Sequence, residues 1–494
     1  MTHLLTKSEY ILYLKHPAWL WLKINDKTKL PPVSDSTQAM FDAGHNFEQY
    51  AESFFTDNAR LGFSDYKSYL TLPTRTSEAI EHGAKNIFQG RFESGVCTFI
   101  CDVLTINGKM SVDLCEIKSG THVKEDHIYD LAFQMVVLER CGYTVGKVEV
   151  AHVNNEYVRH GEINPKEIVA FEDVTEQVNG MRNTTLANIE GALEVVNSKA
   201  HPDFSPSLCG LGSLKEWLSI YKTIEDLEEG CVYDLCRLTP EQTGIFEARG
   251  IKRIHDIPSD IELNKFQQRQ VDAVKSNEVH IEPDKISSIL NNYQYPLYFF
   301  DYETFSTCVP EFDGMHPYDQ IPFQYSLHII DEPGSELRHI EFLHDSSSNP
   351  VRAICESLKT NIGSGGSVIA WYAVFEKARN TQLGELVPEY KEFFEDLNSR
   401  IVDLMDPFKA GYYVHKDFKG SSSIKNVLPV LIPELSYKEL EIHEGSSASR
   451  LWMDAVLYEK AGFNKAKILK DLKEYCKLDT LAMVRIYEFL KNSN

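Results

Sequence analysis

The stretch Tyr295-Pro-Leu-Tyr-Phe-Phe-Asp301-Tyr-Glu303-Thr-Phe305 constrains the fold more than any other part of the chain. An apolar and aromatic run of this length, with a proline near its start, reads as a buried strand. Residues i and i+2 of a strand project from one face, so Asp301 and Glu303 stand side by side. Two like charges on an apolar strand are costly unless something positive lies between them. A hard divalent cation such as magnesium, which prefers carboxylate oxygen, is the simplest partner. The competing reading is an edge strand with both acids in water.

Composition narrows the alternatives. With 494 residues, 43% hydrophobic and 25% charged, the chain is ordinary for a globular protein and has room for several domains. No apolar run approaches a membrane span, and the opening Met-Thr-His-Leu-Leu-Thr-Lys lacks the layout of a secretion signal. Ten cysteines without a tight framework predict reduced thiols in a cytoplasm. A net charge of -23 speaks against a protein that coats nucleic acid non-specifically, but it does not exclude a nuclease, because metal-binding acids contribute to it and a local basic channel can persist.

In chain order, residues 7–23 predict a helix broken at Pro17 and then an aromatic turn. Residues 36–57 predict an amphipathic helix carrying Gly44 and Glu48; taken alone, Glu48 reads as a solvated helical acid. From about residue 84 the period shortens, and 84–93, 96–104 and 111–118 predict a strand meander with Asn107-Gly108 as its tight turn. That hairpin brings Asp102 near Glu116 and Lys118, which share a face. An Asp and a Glu so placed can hold a metal while the Lys orients or activates water; the alternative is a surface Glu–Lys pair. A helix with Gln134 on its early turns and a strand from residue 147 follow.

Asp102, the Glu116-Ile-Lys118 triplet and Gln134 resemble the PD-(D/E)XK nuclease core, in its RecB-like and CRISPR-adaptation-nuclease branch, over residues 1–215. Gly44 and Glu48 match that branch's Gly followed four residues later by a His or Glu. The resemblance implies Glu48, Asp102 and Glu116 as metal ligands, Lys118 and Glu116 as catalytic groups, and Gln134 as a substrate contact. Many members of the branch carry an iron–sulfur cluster on one early and three late cysteines. Here His16 stands at the first position and the segment 201–209 keeps only Cys209, so the cluster is expected to be absent and the segment to serve packing. Residues 216–290 predict a helical linker. Within it, 238–258 around Gly250 resembles a helix-hairpin-helix whose amides can hold phosphate; a plain helical connector is the other reading.

Downstream of the opening strand, 322–330 and 337–344 predict the second and third strands of a meander and 349–360 a helix. Gly363-Ser-Gly-Gly366 predicts a flexible turn. A buried strand at 367–372 leads to Phe375-Glu376 at a helix start, a short strand holds Asp403, and the last long helix aligns Tyr475 with Asp479 at i, i+4. This order resembles the DEDD exonuclease fold, the RNase H-like group with a terminal Tyr-x-x-x-Asp motif, over residues 291–494. The resemblance implies Asp301 and Glu303 in the first motif and Asp479 in the third as ligands of two magnesium or manganese ions. Glu376, or Asp403 as its substitute, would be the fourth ligand, and Tyr475 would orient the attacking water at a frayed 3′ end. Tyr302 and Phe305 are expected to stack on terminal bases.

Both halves resemble one bacterial family, long catalogued as a domain of unknown function, that joins a RecB-like nuclease region to an RNase H-like domain; residues 310–327 and 420–429 carry the likeness beyond the motifs. The expectation is an α/β chain with a PD-(D/E)XK-like domain, a helical middle and an RNase H-like mixed sheet flanked by helices. It would be a metal-dependent nuclease hydrolysing phosphodiester bonds of DNA or RNA, with DNA the more expected partner, a 3′–5′ exonuclease-type C-terminal site and a second, RecB-like nuclease site. The alternative is a catalytically degenerate nucleic-acid-binding or scaffold protein with protein partners in a defence or repair complex.

Overall fold

The computed structural model describes residues 3–32, 44, 46–442 and 444–492. The chain is mixed α/β and divides into two compact units. The first comprises Met1–Leu227, Pro240–Glu247 and Cys308–Tyr318, and the second comprises Glu228–Thr239, Ala248–Thr307 and Asp319–Asn494. Among the described residues no helix is long and apolar enough to cross a membrane.

The strands of the first unit are β1 (Leu5–Thr6), β2 (Asn58–Arg60), β3 (Asn86–Phe88), β4 (Arg91–Ser94), β5 (Cys97–Ile100), β6 (Val103–Gly108), β7 (Ser111–Lys118), β8 (Thr144–Val153) and β9 (Val169–Asp173). Six of them form one sheet in the order β2-β3-β6-β7-β8-β9, and β1-β5-β4 form a small second one. Residues 84–104, expected as two strands, therefore make four. The chain bends at Gly90, where a Cβ would lie 2.6 Å from Ile87 Cγ2, and β4 and β5 turn away to pair near β1. The β6–β7 turn falls at Lys109 and Met110 rather than at Asn107-Gly108. The ladder slips between Ile106 and Gly108, and Gly108 itself pairs with Ser111.

Helix α1 (Lys7–Lys15) starts with a capping box: the Thr6 hydroxyl accepts the Glu9 N–H while the Glu9 carboxylate accepts the Thr6 N–H. Pro17 opens α2 (Pro17–Asn25), a position where its missing N–H has no cost. Helix α3 (Glu125–Arg140) crosses between the parallel strands β7 and β8 and buries Leu131, Phe133 and Val137 in one core with Leu114, Val148 and Val150. The other sheet face carries Phe88, Val103, Cys115 and Ile117, packed with Phe47, Tyr157 and Cys308. Cys308–Tyr318 joins this unit through Arg159, whose guanidinium donates to the carbonyls of Pro310 and Glu311, both at 2.7 Å.

Of the expected helix at 36–57, residues 33–43 and 45 lie outside the described residues, while 46–52 are helical. Where the early cluster ligand was sought, His16 is buried with both ring nitrogens engaged: Nδ1 accepts the Ala18 N–H and Nε2 bonds the Ser205 carbonyl at 2.9 Å. Its ring stacks on Trp217 at 3.9 Å, and Cys209 packs beside the same apolar cluster.

In the second unit, the strands β10 (His280–Ile281) and β16 (Tyr413–Val414) pair apart from a five-stranded sheet. That sheet comprises β11 (Leu297–Phe305), β12 (Ile321–Ile330), β13 (Arg338–Leu343), β14 (Ser367–Ala370) and β15 (Ile401–Asp403), in the order β13-β12-β11-β14-β15. The first three run antiparallel and the last two parallel to β11. β11 is central, which is why Leu297, Phe299 and Phe300 are buried on both faces. Three helices matter to the site: α4 (Ala373–Leu386), α5 (Ile424–Leu431) and α6 (Lys465–Asn492). Helix α6 is fastened to β12 by Gln324, which donates to the Leu472 carbonyl at 2.9 Å, and by Thr480, whose hydroxyl contacts Ser326 at 2.7 Å and His328 at 2.8 Å. These contacts bracket Tyr475 and Asp479.

The 363–366 turn is held rather than flexible: Arg400 donates to the carbonyls of Gly363, Gly365 and Gly366, and Gly366, at φ +83, abuts the Pro296 carbonyl. After Gly250 no second helix starts at once. A single 3-10 turn, Ile254–Asp256, follows, because the backbone is drawn into a bridge between Cys231 and Arg253.

Candidate metal centre

Alternation along β11 puts the carboxylates of Asp301 and Glu303 on one face, and their oxygens lie within 4.8 Å of each other and of Cys476 Sγ on α6. Asp479, four residues from Tyr475 on the buried face of α6, turns to the same place. Glu376 enters from the first turn of α4, 2% exposed, accepts the Tyr302 N–H and contacts Asp301. Its Oε2 has no hydrogen-bond partner.

The electrostatics follow from that crowding. Burial, with repulsion from Asp479, pushes Asp301 well above the carboxylate range. Burial and repulsion from Asp301 do the same to Glu303 and Glu376. Burial raises Asp479 to about 6, against the Tyr437 hydroxyl, which donates to it at 2.6 Å, and the Lys425 ammonium. Burial and the neighbouring acids push the Cys476 thiol up too, so it stays protonated, a poor ligand for a hard ion beside two good ones. The Tyr475 phenol is raised by burial and by Asp479. The donor set fits magnesium or manganese: carboxylate oxygens, one of them orphaned, that repel each other in the interior.

Asp403 does not join this cluster. Its Oδ1 accepts the N–H of Tyr372 at 2.9 Å and of Met405 at 3.0 Å. Tyr372 is left-handed, with φ 74, immediately before α4, so Asp403 fixes the turn that aims Glu376. Tyr302 and Phe305 are not available to bases. Tyr302 is buried on the face opposite the acids and donates to Asn380 Oδ1 at 2.9 Å; Phe305, 1% exposed, stacks on Trp452 at 5.1 Å.

The first unit gathers Asp102, Glu116, Lys118 and Gln134, together with Lys7 and Asp130. Glu116 accepts from Lys7 at 2.6 Å, from Lys118 at 2.8 Å and from Gln134 Nε2 at 2.8 Å. Lys118 also reaches Asp130 at 3.3 Å, and Gln134 donates to Asp130 at 3.0 Å. Burial opposes ionisation of Glu116, yet Lys118, Lys7 and Gln134 overcome it and hold its pKa well below the usual range. Burial, then Glu116, pushes Asp102, which accepts the Ile117 N–H at 2.9 Å, up to about 7. Gln134 is fully buried; its Nε2 donates to both Glu116 and Asp130, and its Oε1 has no hydrogen-bond partner. Both Glu116 oxygens thus accept from ammonium or amide groups, so its charge is balanced by the chain's own cations. Glu48 is half-buried on the turns at 46–52; the adjacent Phe47 packs on the sheet face of Cys115 and Ile117, whereas Glu116 points to the α3 face.

Asp130 had a local signal, standing four residues before Gln134 on one helix face. Lys7, Lys425 and Tyr437 had none, since each meets its partner through the tertiary fold.

Residues 298–423 match the family model described as Domain of unknown function (DUF2779). The chain is 27% identical over 229 residues to "Uncharacterized protein MG366" of Mycoplasma genitalium and 26% identical over 227 residues to its homolog in Mycoplasma pneumoniae. It is 24% identical over 215 residues to "Uncharacterized protein UU173" of Ureaplasma parvum. These matches cover 42%, 42% and 39% of this chain but 34%, 34% and 31% of those proteins, so the chain spans about a third of the length of the curated relatives it matches. Asp301, Glu303 and Glu376 fall inside the region similar to the domain of unknown function, and Tyr475 and Asp479 lie beyond it.

Proposed function

We propose that the carboxylate cluster of the second unit binds magnesium or manganese and that the protein hydrolyses phosphodiester bonds of nucleic acid there. One observation carries this reading: Asp301, Glu303, Glu376 and Asp479, brought from three elements, meet in the interior where each is pushed above its ordinary pKa. A cluster maintained against that repulsion implies a cation that offsets it and is a functional-site signature. Bound metal would supply Lewis acidity, neutralising phosphate charge and lowering the pKa of a water. The chain's own residues do the rest. β11 fixes two donors on a rigid strand, α4 brings the orphaned Glu376 oxygen, Tyr437 orients Asp479, and the Tyr475 phenol holds the attacking water. The RNase H-like assignment and the 3′–5′ polarity rest on the sequence resemblance, supported by a mixed sheet whose first three strands are antiparallel.

For the first unit, the crossover helix between parallel strands and the meeting of Asp102, Glu116, Lys118 and Gln134 support the RecB-like reading of the fold. Its self-neutralised charges favour an ion cluster that stabilises the fold over a second metal centre.

Incubating the full chain with labelled single- and double-stranded DNA and RNA, in manganese or in chelator, tests both statements. The expected result is metal-dependent cleavage that disappears in Asp301→Ala and persists in Lys118→Ala. Binding without cleavage of any substrate would replace the nuclease reading with that of a degenerate scaffold.

A further inference from the structure

The second unit contains a cavity of about 150 Å³ beside β16. Its walls are aromatic, from Phe266, Tyr413 and Phe418, and its charged lining is basic: Arg237, Lys409 and His415, with no Asp or Glu. The chain carries 73 acids against 50 Lys and Arg, so a cavity lined by bases alone is selective for negative charge. His415 leans on Asp417 at 3.6 Å and Lys409 acts on the Asp406 carboxyl, but neither Arg237 nor Lys409 forms a close ion pair among the described residues. The Arg237 guanidinium lies over the Phe266 ring at 3.8 Å, which holds its plane and leaves its N–H edge for an anion. A void of this size accepts one aromatic ring.

The cavity is rigid where it matters. Gly420, at φ +70, brings its backbone against Cys236, where a Cβ would lie 2.8 Å from both Cys236 Cβ and Gln270 Oε1. Gln270 is itself fixed, accepting the Cys236 N–H and donating to the Asp234 carbonyl, both at 2.8 Å. Two connections tie the cavity to the carboxylate cluster. Ser421 and Ser422 of its lining lead into α5, whose Lys425 acts on Asp479 and Glu303. Lys409 lies over Tyr372, at 5.7 Å, directly before the helix that carries Glu376.

We propose that this cavity binds a nucleoside 5′-monophosphate unit, with a single-ring base against the wall of Tyr413 and Phe418 and the phosphate on Arg237 and Lys409. The unit is either a mononucleotide released by hydrolysis or one nucleotide of a bound strand. The proposal rests on the nucleic-acid reading of the neighbouring cluster, but it is read by binding alone.

The test is calorimetric titration of the full chain in chelator, where metal-dependent cleavage does not occur. The probes are thymidine 5′-monophosphate, thymidine, inorganic phosphate and a short 5′-phosphorylated DNA oligonucleotide of thymidines. Saturable binding of the monophosphate, about tenfold or more tighter than thymidine or phosphate, is expected, with a loss of about tenfold in Arg237→Glu and in Lys409→Glu. Both residues are exposed, and an unchanged melting curve confirms that the variants fold. A tighter oligonucleotide identifies the strand as the source of the unit, and a tighter mononucleotide identifies the product. Absence of saturable binding by any nucleotide, equal affinity for phosphate and monophosphate, or unchanged affinity in both variants overturns the proposal. Cleavage in manganese is scored separately, so binding without cleavage removes the hydrolytic reading and leaves this site, and cleavage without binding does the reverse.

Discussion

Tyr437 donates its phenolic hydrogen to Asp479 Oδ1 at 2.6 Å, across 42 positions of the chain. This bond favours the ionised carboxylate and opposes the burial that lifts it to about 6. Tyr437→Phe therefore raises the pKa of Asp479, and the acid limb of manganese binding and of cleavage moves to higher pH by roughly 0.5–1 unit. Tyr475→Phe, which removes no bond to Asp479, lowers the cleavage rate and leaves the limb in place. A pH profile of the three proteins decides it; identical limbs in all three would remove the role given to Tyr437.

Asp479 also predicts how stability varies with pH. Its folded pKa is about 6, against an ordinary value of 3.8. The fold thus favours the protonated form, and this contribution is complete below the ordinary value and lost as pH rises through about 6. Asp479→Asn cannot lose it. In chelator, the variant should gain roughly 1–3 kcal/mol on the wild type between pH 4 and pH 8, as judged by urea unfolding. Manganese should then stabilise the wild type far more than the variant.

Glu376 and Asp403 separate a proposed ligand from the residue that braces the turn before it. Glu376→Gln keeps the shape and removes a charge, so manganese affinity and cleavage fall by about a hundredfold, with stability held or raised in chelator. Asp403→Ala frees the left-handed Tyr372 turn, costs roughly 1–2 kcal/mol and lowers cleavage less than Glu376→Gln does. If Asp403→Ala were the more damaging to metal affinity at unchanged stability, the two assignments would have to be exchanged.

Lys7→Met leaves Glu116 buried with one ammonium removed. Breaking such a group costs about 3–5 kcal/mol, and the double variant Lys7→Met/Glu116→Gln recovers part of that loss. In an Asp301→Ala background, manganese paramagnetic resonance should detect no tight site in the first unit while Lys7 is present. Tight binding there with Lys7 in place would restore the second metal centre implied by the sequence resemblance.

The parts of the candidate site legible in the sequence are those written in local periodicity. Asp301 with Glu303, and Tyr475 with Asp479, are set by the strand and helix repeats, and Glu376 by its place in a helix's first turn. The same strand rule sends Tyr302 away from the acids. Phe305 lies past the register shift between Glu303 and Thr304 and packs on Trp452, so its aromatic ring belongs to the core. Lys7 meets Glu116 across 109 positions, and no local pattern encodes such a distance. Asp403, the substitute for Glu376, is ambiguous for a related reason: an acid ending a strand next to the right element has the composition of a ligand, and only its Oδ1 bonds to the N–H groups of Tyr372 and Met405 show that it braces the turn before α4.

The detour of residues 308–318 has a bearing on biosynthesis. Cys308 belongs to the core that contains Phe47 and Ile117, so during translation that core keeps a vacancy until the ribosome has passed residue 318, well into the second sheet. Neither half is a single run of polypeptide, and a truncation ending at residue 227 would leave an apolar hole where Cys308 sits. Anyone cutting the protein in two must graft both Pro240–Glu247 and the eleven-residue tab onto the first piece and bridge the gaps they leave, the second of them between β11 and β12.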